Sequence, residues 1–177
     1  MYKLPPEASE AEFHELLAYW LSKLQPGRLP GRQHIDPTEL PPRYLSQLLL
    51  LDVVEDAAGK PRRYRFRVAG TAFSTIAGRD VTGLYHDEIG APDRIAPVIK
   101  ALDLIVERAA PVFLAGRLTL PSQDYFWVKR LGLPLAQDGR KVDMVLAAWH
   151  AERRSAADKA RGEPLLEAGE PKVLERM

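Results

Sequence analysis

The strongest periodic signal lies near the start of the chain. Phe13, Leu16, Leu17, Trp20, Leu21 and Leu24 recur at spacings of three and four, one apolar stripe along a helix expected over residues 9–24. Ser9 followed by Glu12 reads as a capping box at its start, and Pro26-Gly27 ends it. Such a stripe has to be buried, either on its own domain or against a second copy. Residues 25–43 carry Pro26, Pro30, Pro37, Pro41 and Pro42 and read as a stiff connector. Asp36 followed by Pro37 and Glu39 predicts a short helical turn within it.

The pattern then changes period. Leu48 to Val54 is a continuous apolar run broken only by Asp52, consistent with a strand covered on both faces. Residues 56–61 read as a turn. Arg63 to Val68 alternates strictly, as a strand with one wet and one dry face does. Its arginines, Arg63, Arg65 and Arg67, fit a solvated sheet face better than a phosphate site. Thr71 to Gly78 reads as a short helix capped by Thr71 and ended by a left-handed Gly78. Ile95, Val98, Ile99, Leu102, Ile105, Val106 and Ala109 mark a long amphipathic helix, with Pro97 expected in its first turn and Pro111 beyond its end. Three strands follow, over 112–120, 125–133 and 142–149, the last two joined at Asp138-Gly139. From Ala151 onward 12 of 27 residues are charged, which predicts a charged tail, helical at most at its start.

Two strands joined by a hairpin, a helical crossover and a three-stranded meander make an α+β domain. Its expected form is a five-stranded antiparallel sheet in the order 2-1-5-4-3, with helices on one face and an additional N-terminal amphipathic helix. The expected division is an N-terminal helix over 1–24, a connector over 25–43, the domain over 44–150 and the tail over 151–177.

Composition narrows the chemistry. The chain has 177 residues and a formal net charge of +1, so neither nucleic acid nor an anionic membrane is an expected partner. It lacks cysteine, which excludes thiolate nucleophiles, sulfur-built zinc sites and any cysteine-linked chromophore. With no apolar leader and no run of about 18 apolar residues, the expected location is the cytoplasm. His14, His34, His86 and His150 share no metal-binding spacing; His86, beside Tyr85, is the one nearest a plausible cavity. Ser46, Ser74 and Ser122 sit in no nucleophile elbow, and Gly70, Gly78 and Gly83 match neither common phosphate-loop spacing. An enzyme is not expected.

Val68-Ala69-Gly70-Thr71-Ala72-Phe73, running into Gly78-Arg79-Asp80-Val81-Thr82-Gly83, resembles the junction where the second strand of a PAS domain enters its small helices. Together with the tryptophan-bearing first helix, the Leu-Pro-Gly-Arg connector, Asp36-Pro37 and the leucine-rich first strand, residues 10–150 resemble the PAS-like family of short alphaproteobacterial proteins. That resemblance implies a PAS fold and a bacterial signalling role, but names no ligand. Some PAS proteins hold haem through a histidine on the long helix, and light-sensing flavin relatives use a cysteine. Both are missing here, so haem and flavin are disfavoured and the cofactor stays unknown.

Phe66, Phe73, Tyr85, His86, Ile95, Ile99, Trp127 and Met144 are the candidate pocket residues, converging between sheet and helices. Phe13, Leu16, Leu17, Trp20, Leu21 and Leu24 are the candidate dimer or partner interface, with a homodimer expected. The expected function is a non-catalytic sensor that binds a small ligand, contacts a signalling partner protein, or does both. A pure adaptor with a solid core is the alternative.

Overall fold

The computed structural model describes residues 2–55, 61–119, 125–154 and 169–176. Its helices are α1 (Ala11–Ser22), α2 (Pro42–Leu45), α3 (Thr71–Ala77) and α4 (Pro92–Arg108). The strands are β1 (Leu48–Val54), β2 (Arg63–Ala69), β3 (Val112–Thr119), β4 (Tyr125–Leu135), β5 (Met144–Arg154) and β6 (Lys172–Val173). Single 3-10 turns occur at Arg32–His34, Pro37–Glu39 and His86–Glu88.

All strand pairs are antiparallel, in the order β2-β1-β5-β4-β3-β6. The expected order of five is present, with β1 central. The sixth strand comes from the charged C-terminal stretch, where Val173 pairs with Val112 and Leu174 donates to the Pro111 carbonyl. The stretch is therefore not a tail throughout, because Leu174 is buried and closes the β3 edge. Ala151 to Arg154 continue β5 instead of starting a helix; most of the expected tail and the turn at 56–60 lie outside the described residues. The other sheet edge is covered too. Gly83, at φ +86°, lets the chain double back so that Phe66 N–H donates to Leu84 O and Gly83 N–H to Phe66 O.

Side chains alternate across the sheet, so each strand feeds two cores. Leu50, Phe113, Leu131, Leu133, Met144, Leu146 and Ala148 point to one face, where α1 lies. Leu49, Leu51, Tyr64, Phe66, Leu114, Val128, Val145, Ala147 and Trp149 point to the other, under α3 and α4.

The α1 stripe packs on its own sheet. Phe13 and Trp20 are 0% exposed, Leu16 and Leu17 are buried, and Leu21 and Leu24 border the same cluster. Trp20 Nε1 donates to the Pro134 carbonyl at 2.9 Å. This corrects the candidate interface: the stripe already has its partner in the same chain, and a homodimer requires another surface. The capping box at Ser9 is replaced by an N-cap at Glu10 without a side-chain cap bond. The reason is tertiary: Glu10 pairs with Lys129 and Glu12 with His150 Nδ1 at 2.8 Å, both across to the sheet.

Of three local details, two differ from expectation and one agrees. The N-cap of α3 is Gly70 and not Thr71, since the chain is still extended at position 70; a Cβ there would stand 2.2 Å from the Ser46 carbonyl oxygen, so the close approach requires glycine. Gly78 takes the expected left-handed C-cap at φ 71°. Pro97 lies in the second turn of α4, since Pro92 already occupies the first, and it deprives Asp93 of its helical hydrogen bond.

Candidate functional site

The site lies on the α3/α4 side of the sheet. Trp149 of β5 stands directly opposite Arg130 of β4, and Val128 follows Arg130 on the same face. The loop after α3 turns inward through Gly78 and Gly83 and brings His86 beneath the sheet, 2% exposed. Tyr85 N–H, bonded by Glu88 Oε2 at 2.9 Å, and the Tyr85 ring, covered by the Arg63 guanidinium at 3.7 Å, hold that turn in place.

An aromatic layer results. The His86 ring stacks on Phe66 at 5.3 Å, Phe66 meets Phe73 at 5.4 Å, and Phe73 meets Trp149 edge-on at 5.0 Å. Arg130 joins the layer from the side, its guanidinium 6.0 Å from the Phe73 ring and its Nη1 3.5 Å from His86 Nε2, the outer limit of a hydrogen bond. Two buried nitrogens of the layer, His86 Nδ1 and Trp149 Nε1, have no hydrogen-bond partner among the described residues.

Electrostatics follow from this geometry. Burial, and then the positive charge of Arg130, push His86 down to about 3, so the imidazole is neutral near pH 7. Arg130 keeps some accessible surface, as a residue bordering a cavity does, yet burial alone pushes it down to about 10. The β2 arginines are paired differently. Arg65 and Arg67 both grip Asp52, and Arg63 grips Asp87 at 2.7 Å and Glu88 at 3.1 Å. They hold the β2 side of the sheet together and carry no phosphate-site geometry.

Arg130 borders a cavity of about 60 Å³ between α4 and the β3–β4 pair, walled by Pro97, Val98, Leu114 and Val128. A larger cavity of about 240 Å³ lies on the opposite face, beside Phe113, Ala115 and Trp127. Its charged neighbours Glu7 and Lys172 pair with each other.

A family model described as a PAS domain matches residues 8–150. The chain belongs to the PAS domain family. No curated protein matches it. The matched span of the PAS domain runs from the segment before α1 through most of β5, so α1 and the aromatic layer both lie within it, while β6 lies outside. PAS domains are sensory and signalling modules, and no helix among the described residues is long and apolar enough to cross a membrane.

Of the eight candidate pocket residues, Phe66, Phe73 and His86 come together. Tyr85 is half-buried under Arg63, outside the layer. Ile95 faces a groove on the outer side of α4, and Ile99 lies between that groove and the core. Trp127 and Met144 are on the opposite face of the sheet: Trp127 alternates with Val128, and Met144 with Val145. Arg130 and Trp149, which complete the layer, are not among the candidates. Their signal was parity, since Val128 and Arg130 share one face of β4 and Val145, Ala147 and Trp149 one face of β5. Among the described residues no group of three or more His, Asp or Glu side chains could hold a metal ion.

Proposed function

We propose that this PAS domain is a sensor that binds a small molecule between its sheet and α4, without turnover, and passes the bound state to a partner protein. The observation that carries this reading is an aromatic layer with two unpartnered buried nitrogens, His86 Nδ1 and Trp149 Nε1, joined through Arg130 to the cavity that Arg130 lines. A buried donor without an acceptor costs about 1–3 kcal/mol, and two of them in one layer make sense as contacts for something that enters. Native mass spectrometry of protein purified without denaturation tests it. A discrete added mass that disappears on denaturation is the expected result; apo mass alone, with no small molecule in the denatured supernatant, overturns it.

The adaptor reading is favoured by one fact. The cavity, about 60 Å³, is far below the roughly 300–1,000 Å³ of ordinary drug-sized pockets. If the adaptor reading holds, the same spectra show apo protein and the added mass on pull-down is protein.

A further inference from the structure

We infer that the molecule taken up beside the aromatic layer is a small anion held by Arg130, with a short-chain carboxylate as the best fit. The inference rests on the ligand-site reading above and adds its chemical class.

Polarity comes first. The polar groups of the layer offer donors and leave no acceptor over. Arg130 can only donate, so in its approach to His86 Nε2 at 3.5 Å the ring nitrogen would act as the acceptor, which assigns the imidazole proton to Nδ1. Trp149 Nε1 can only donate. His86 Nδ1 and Trp149 Nε1 are both unpartnered, and Arg130 meets no carboxylate among the described residues. A ligand with acceptors satisfies Arg130, the one group of the three that lines the cavity; Trp149 stands across the strand pair from Arg130, and His86 lies behind it in the layer.

Charge points the same way. Each β2 arginine has an aspartate of its own chain, and Arg130 has a neutral imidazole and an aromatic ring. Arg130 is covered but keeps some accessible surface, and an anion beside it would supply the counter-charge it lacks among the described residues. Arg94 and Arg117 also border the cavity, each with partners of its own.

Size and lining select within the anions. A cavity of about 60 Å³ takes only a few heavy atoms. Pro97, Val98, Leu114 and Val128 give it an apolar wall, which suits an aliphatic tail of two or three carbons and offers a bare oxyanion nothing.

The test follows the indole N–H resonance of Trp149 in the full chain, assigned with Trp149→Phe, during titration with sodium propionate, propionamide or inorganic phosphate at constant ionic strength. Propionate should shift it saturably. Propionamide, the same size without charge, should need at least tenfold higher concentration, and phosphate should be weaker than propionate. Arg130→Gln should weaken propionate at least tenfold, and Arg130→Lys should restore part of the binding. Equal responses to propionate and propionamide, or none to either, overturn the inference; phosphate binding more tightly than propionate overturns the carboxylate choice. If Arg130→Gln does not fold, the propionate and propionamide comparison in the wild type still decides. A ligand retained in native spectra alongside silent anion titrations would remove the anion and leave the ligand site standing. Apo spectra and silent titrations together would remove both.

Discussion

Two tryptophans on opposite faces of one sheet make an instructive contrast. Trp20 and Trp149 are both buried, at 0% and 3% exposure. Trp20 comes from α1, packs under Tyr2 at 5.9 Å and donates its N–H to Pro134. Trp149 comes from β5, packs edge-on against Phe73 and has no acceptor for its N–H. The first indole is a closed structural anchor. The second stands opposite Arg130 across the strand pair, at the far end of the layer from His86. The difference separates an indole whose donor the fold satisfies from one whose donor the fold leaves open, on the face where the ligand is proposed.

The largest expected effect belongs to the anchor. Trp20→Ala should cost about 3–5 kcal/mol in urea unfolding, as truncation of a buried tryptophan does, while the Trp149 indole resonance of the residual folded protein keeps its response to propionate. A stability change below about 1 kcal/mol would mean that α1 is not a structural cover.

Next in size is the acid limb of the stability curve. Burial and then Arg130, facing from β4, lower His86; the residue's own backbone and, less so, the neighbouring Asp87 carboxylate only partly oppose them. The folded value is about 3 against 6.5 for the free side chain, so between those pH values the unfolded chain binds a proton that the native chain refuses. Stability is then whole above pH 6.5 and falls as pH drops toward 3, by an amount on the order of 4 kcal/mol from this group. His86→Gln should flatten that limb in melts recorded across the same range. An unchanged slope would place the imidazole in water.

Arg130→Met should act in the opposite direction from an ordinary core substitution. In protein dialysed free of small anions it should raise stability by about 1–2 kcal/mol, because it removes a desolvated charge and keeps the volume. Destabilisation measured under those conditions would show that Arg130 has a structural partner after all.

The smallest and most direct comparison replaces each indole by phenyl. Trp20→Phe leaves the Pro134 carbonyl without its donor and should lose about 1–3 kcal/mol. Trp149→Phe removes a donor that had no acceptor and should stay within about 1 kcal/mol of the wild type. Equal losses in calorimetry would erase the distinction between the two faces.

Much of this was legible from pattern. The α1 stripe, the continuous β1 run, the alternation of β2, the glycine at the end of α3 and the order of elements are local periodicities and turn chemistries, and short-range geometry enforces them wherever they occur. They were enough to define an α+β domain with a central β1 and to single out Phe66, Phe73 and His86. What the pattern left open was which side of the sheet each strand residue faces. Trp127 and Met144 were placed in the pocket because they are large and apolar; a one-residue difference in register turns them to the α1 face.

Arg130 shows the same limit from the other direction. As a charge in a strand it reads as solvated, and only pairing with Trp149 across β4 and β5, with α4 laid over that face, puts it under cover. The N-terminal helix was equally two-valued, since an amphipathic stripe records that it must be buried but carries no address for its partner. Local sequence therefore determined the elements and their order, because hydrogen-bonding period and turn geometry act over a few residues. Tertiary structure alone decided the face, the register and the missing counter-charge, because each is set by residues far apart in the chain that meet only once the sheet is assembled.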